Sequence, residues 1–155
     1  MAGLLLCLFI LTLWGALAWT QSTQDDQELA KLSLVSFVCS HITLDMGGVC
    51  SLTMQAEPPF GPSELVAFTR QSRQEYEQRL LELTSLDTPQ EAQELKDRMV
   101  SWLERCIDFF ASAEDCIADY GTDYCRDAMN SELKSLWWGQ LSIQDEATRL
   151  LEDSG

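Results

Sequence analysis

Residues 88–110 read TPQEAQELKDRMVSWLERCIDFF, and this stretch decides the fold. Ala92, Leu95, Met99, Trp102, Cys106 and Phe109 or Phe110 recur at three- and four-residue steps, which puts them on one face of an α-helix. A strand would require alternation at every second residue. The start is marked by Thr88 as N-cap, Pro89 at the first helical position and Glu91 to complete a capping box.

The same period extends in both directions. Upstream, Leu65, Phe68, Ser72, Tyr76, Leu80 and Leu83 line a helix that opens at Pro62 and runs to Asp87. Earlier still, Leu29, Leu32, Val35, Val38, Ile42 and Met46 mark a helix that begins after the cap signals of Ser22 to Asp26 and stops at Gly47-Gly48. Val49 to Ala56 reads as a turn, and Pro58 to Pro62 as a stiff loop. Downstream, a connection over Ser112 to Thr122 leads to a helix carrying Cys125, Ala128 or Met129, Leu133 and Leu136, closed by Gly139. A short fifth helix runs from Ser142 through Leu151. No internal repeat or second-domain boundary interrupts this. The expectation is an all-α fold, a single small disulfide-stabilised helical bundle of four or five helices.

Gly3 to Trp19 is an almost unbroken apolar run, GLLLCLFILTLWGALAW, followed abruptly by TQSTQDDQE. Ala16-Leu17-Ala18 places small residues where a signal peptidase needs them, so residues 1–18 are expected to be a signal peptide and 19–155 a secreted helical domain. The run is short for a hydrocarbon core about 30 Å thick, and no Lys/Arg cluster flanks it, so no stable membrane insertion is expected after cleavage. The predicted location is extracellular. The 25 acids and 10 bases give a formal net charge of -15. Such a field repels nucleic acid and anionic lipid surfaces and leaves cationic or neutral protein partners open.

Cys7 leaves with the leader, so the mature chain holds Cys39, Cys50, Cys106, Cys116 and Cys125. Five is odd, which implies two bridges and one thiol that is buried, free or paired with another chain, making a disulfide-linked dimer a possible state. With helices three and four antiparallel, a Cys106–Cys125 bridge is expected. The remaining thiol would then be Cys39, Cys50 or Cys116. Asn130 is followed by Ser131-Glu132, so no N-glycosylation sequon exists.

The spacing Cys106-x9-Cys116-x8-Cys125 resembles the C-terminal half of the cysteine pattern of insect odorant- and pheromone-binding proteins, secreted helical proteins that enclose a hydrophobic ligand. The resemblance covers some twenty residues. That family also carries a C-x3-C pair, whereas here ten residues separate Cys39 from Cys50, so no family is assigned.

Catalytic signatures are absent. His41 is the only histidine, it can meet Asp45 across one helical turn, and no C-x-x-C, H-E-x-x-H, G-x-S-x-G or phosphate-cradling glycine loop occurs. Asp115, Asp119, Asp123 and Asp127 recur every four residues, a spacing unlike that of an EF-hand loop. No metal or cofactor is expected, and the chain is not expected to be an enzyme. Adjacent Trp137 and Trp138 are candidate interface anchors, since neighbours on a helix point about 100° apart and cannot both face one narrow core. The leading reading is a secreted, non-catalytic binding protein with an extracellular protein partner. The alternative is a carrier of a small lipophilic ligand held by Phe68, Tyr76, Met99, Trp102, Phe109 and Met129. A secreted hydrolase of unrecognised type is third.

Overall fold

The computed structural model describes residues 24–42 and 61–152. The leader at 1–18, Asp45, Met46, Gly47-Gly48, the turn at 49–56, Cys50 and the loop at 58–60 lie outside the described residues. Among those described, the chain is all-helical: α1 (24–41), α2 (Pro62–Ser85), α3 (Gln93–Tyr120) and α4 (Thr122–Glu152).

Helix α2 starts with Pro62 at its first position, and the Gly61 N–H donates to the Glu64 carboxylate at 2.8 Å. One orphan donor of the helix start is thereby satisfied. Leu65, Thr69, Ser72, Tyr76 and Leu83 are buried along the expected face, with Phe68 and Leu80 partly covered beside them.

The expected capping box at Thr88 is not formed. A single 3-10 turn, Gln90–Ala92, precedes α3, and the Thr88 hydroxyl donates to the Leu86 carbonyl at 3.3 Å instead. Leu95, Met99, Trp102, Leu103, Cys106, Phe109 and Phe110 form the buried stripe, which continues through Ala113 and Ile117 to the end of the helix. No connection spans 112–122. Helix α3 runs 28 residues, about 42 Å, and only Gly121 separates it from α4. Gly121 has φ 81°, a backbone that residues with a side chain rarely adopt, so glycine suits this turn.

Partners across α3 and α4 recede from Gly121 in step. Cys116 pairs with Cys125, Arg105 with Glu132 and Ser135, Trp102 with the Leu136 carbonyl, and Arg98 with Ser142 and Glu146. The two helices are therefore antiparallel along most of their length. Helix α2 opposes α3 in the same sense, through Arg70 on Glu114, Phe68 and Tyr76 on Phe110, and Lys96 on the carbonyls of Thr84 and Leu86.

Helix α1 keeps the expected inward positions Val35, Val38 and Ile42 in its second half and departs from the expected stripe in its first. Leu34, Val35, Phe37, Val38 and Ile42 are buried, whereas Leu29 and Leu32 are exposed. Two overlapping stripes fit the periodicity, and the one holding Leu34 and Phe37 buries more apolar bulk. Lys31 lies buried at the seam, its ammonium 2.6 Å from Glu91 and 3.3 Å from Glu28. The Arg79 guanidinium donates to the His41 carbonyl at 3.0 Å, and Gln144 donates to the Ile42 carbonyl at 3.2 Å.

The fourth helix does not end at Gly139, and the expected fifth helix is the second half of α4, 31 residues in all. A lone glycine weakens a helix by about 1 kcal/mol relative to alanine, which does not suffice to stop one. Gly139 instead permits close approach: a Cβ there would stand 2.8 Å from Trp102 Cδ1.

Candidate interaction surface

Among the described residues, the C-terminal half of α4 carries the largest apolar side chains left in water. Leu136 is fully buried, and Trp138 follows it by two residues, about 200° around the helix. A buried Leu136 thus dictates an outward Trp138, which is 72% exposed, while Trp137 lies between the two directions at 45%. Leu141, four residues after Trp137 and three after Trp138, reaches the same surface and is also exposed. Both candidate anchors therefore stand on one solvent-facing patch, with neither folded into the core.

The helix that presents them is firmly held. On its inner side Leu133, Leu136, Ile143 and Ala147 are buried, and the Trp102 Nε1–H donates to the Leu136 carbonyl at 2.8 Å. Arg98 and Arg105 of α3 reach Glu146 and Glu132 on its flank. An indole on such a support loses little conformational freedom on binding.

The six candidate pocket residues divide. Tyr76, Met99, Trp102 and Phe109 are buried, and Phe68 and Met129 are partly buried. The aromatic members touch one another or Phe110: ring centroids are 5.9 Å apart for Tyr76–Trp102, 5.4 Å for Tyr76–Phe110, 6.3 Å for Phe68–Phe110 and 5.3 Å for Phe109–Phe110. Phe109 and Met129 also border an open groove of about 370 Å³, with Arg105, Asp108 and Glu132 on its rim. A larger open groove, about 780 Å³, lies between α1 and the α2–α3 connection, where Leu29, Leu86 and Pro89 meet Asp26 and Asp87.

The cysteines depart from the expected pairing. Cys125 is bonded to Cys116, with Cα atoms 5.8 Å apart, and Cys106 is free and buried. Because the turn is the single residue Gly121, Cys116 and Cys125 stand at matching distances from it. Cys106 lies about 15 Å further along α3, beyond the reach of a bridge. Burial pushes the Cys106 thiol well above its ordinary value. Cys39 is free and exposed on α1.

His41 stacks on Phe37 with centroids 4.6 Å apart and has Glu82 3.8 Å from its Nε2. Among the described residues no three His, Cys, Asp or Glu side chains converge as a metal site requires, and no helix is long and apolar enough to cross a membrane. Asp115, Asp119 and Asp127 are exposed on two different helices. The paired exposed tyrosines at the α3–α4 turn, Tyr120 and Tyr124, fall in and just after the span that reads from sequence as a connection, so helical spacing does not single them out. No family model, curated protein or solved structure matches the chain.

Proposed function

We propose that the chain is a secreted, non-catalytic binding protein: residues 1–18 are removed, and residues 19–155 fold as a single acidic helical bundle that engages an extracellular protein through Trp137, Trp138 and Leu141. The observation that carries this reading is the pair of adjacent tryptophans left in water on a helix whose opposite side is fully engaged. Tryptophan is costly to expose and is enriched among the residues that dominate interface energetics. The third tryptophan of the described residues, Trp102, is buried, so exposure is a property of this patch.

The carrier reading draws less support. Its aromatic residues fill space against each other, and the groove that Phe109 and Met129 border is open and edged by charged groups. Native mass spectrometry before and after organic extraction tests it, since a carrier would release a co-purifying lipophile.

The interaction reading is tested by photo-cross-linking in the protein's own extracellular fluid. A photoreactive residue at position 138 is expected to trap one discrete partner that the same residue at exposed Glu104 does not trap. Equal trapping at both positions, or at neither, contradicts the proposal.

A further inference from the structure

A second surface, of different chemistry, stands at the tip of the α3–α4 hairpin. Tyr120 is the last residue of α3 and Tyr124 lies in the first turn of α4, with Gly121 turning the chain between them. Their ring centroids are 5.2 Å apart, and the side chains are 68% and 62% exposed. The chain's third tyrosine, Tyr76, is buried, so tyrosine here is not a surface residue by habit. The core does not require the pair: the buried residues nearest the turn are Ile117 and Cys125.

Three features fix what the tip suits. The Cys116–Cys125 bridge pins the two helix ends together, so the rings are displayed on a turn that does not have to be ordered on binding. Residues 115–127 contain Asp115, Asp119, Asp123 and Asp127 against the single base Arg126, and Asp115, Asp119 and Asp127 are exposed. Helix α3 ends here with no basic residue in its last turn, although the negative end of the helix dipole favours a cation at that place. Elsewhere four arginines lie along helix–helix contacts, Arg70 and Arg73 on Glu114, Arg98 on Glu146 and Arg105 on Glu132.

We propose that the Tyr120–Tyr124 tip docks an arginine-bearing segment of a partner protein. A guanidinium lies flat on a tyrosine face and at the same time donates to carboxylates in its plane, which an ammonium does less well. The fold itself contains the first half of this arrangement: the Arg79 guanidinium sits 4.7 Å from the Tyr76 ring centroid. Tyr124 and Trp138 are about 21 Å apart along α4, so this surface does not depend on the tryptophan patch being an interface.

Amide NMR titration of the oxidised chain tests the proposal, with a short arginine–glycine peptide as probe, at physiological salt, beside its lysine counterpart. The expected result is saturable shifts concentrated at 115–127, with the lysine peptide binding several-fold more weakly. Tyr120→Ala/Tyr124→Ala should weaken the arginine peptide by about tenfold while leaving the melting temperature unchanged, and Tyr120→Phe/Tyr124→Phe should retain binding. Shifts spread evenly over the acidic surface, equal affinity for both peptides, or no effect of the alanine pair would overturn the proposal.

Discussion

The Trp102 indole lies against the backbone of Gly139, where it donates through Nε1 to the Leu136 carbonyl at 2.8 Å and leaves no room for a Cβ. This contact lets α4 approach α3 closely, and it fixes the rotation of α4 that turns Trp137 and Trp138 outward.

Gly139→Ala is therefore expected to destabilise the fold. A glycine in an exposed helix would gain about 1 kcal/mol on this change. Here the added methyl would stand 2.8 Å from a buried, rigid ring, and overpacking of that kind costs roughly 1–3 kcal/mol. Urea unfolding decides between the signs, and a stabilised variant would refute the contact.

Trp102→Phe should cost about 2 kcal/mol or more by the same measurement, through lost hydrogen bonding and a residual cavity. The double substitution Trp137→Ser/Trp138→Ser should stay within about 0.5 kcal/mol of the parent, because exposed positions contribute little to stability. Comparable losses in both would mean that the exposed pair belongs to the core.

Thiol chemistry separates the cysteines. Cys39 is expected to react at once with a maleimide at neutral pH, and Cys106 only after denaturant is added, since burial both shields it and raises its pKa. Non-reducing peptide mapping should return Cys116 joined to Cys125. Replacing both with alanine should cost roughly 2–3 kcal/mol from loop-closure entropy.

Lys31 gives the fold an alkaline limit. The Glu91 carboxylate, opposed by burial and assisted by Glu28, holds its ammonium above the ordinary value of 10.5. A group whose pKa is raised on folding stabilises fully below its unfolded pKa and stops doing so as pH rises through the folded one. The stability difference between the parent and Lys31→Gln should be constant from neutral pH up to the ordinary lysine range, then shrink above it. Melting curves across that range check the sign.

Much of this arrangement was legible in the sequence. The stripes of α2 and α3 needed only spacing, because Leu65, Ser72, Tyr76, Met99, Trp102 and Cys106 each fall on an unambiguous face. Helix α1 offered two overlapping stripes, and the choice between Leu32 and Leu34 depended on what α2, the α2–α3 connection and α4 present to it. Gly139 and Gly121 are identical as letters, yet one faces an indole within a helix and the other turns the chain at positive φ. The misplaced end of α3 carried the disulfide with it, since pairing Cys106 with Cys125 required a connection that begins at Ser112, whereas the turn is at Gly121. Trp138 was exposed by arithmetic once Leu136 was inside.

The most direct measurement of the central claim is the affinity of the partner trapped at position 138 for three proteins: the parent, Trp137→Ser/Trp138→Ser, and Leu81→Ser, which alters an exposed leucine on α2. With two anchors each worth about 2 kcal/mol, the tryptophan variant should bind several hundred-fold more weakly by calorimetry, and Leu81→Ser should match the parent. Equal dissociation constants for all three proteins would contradict the account.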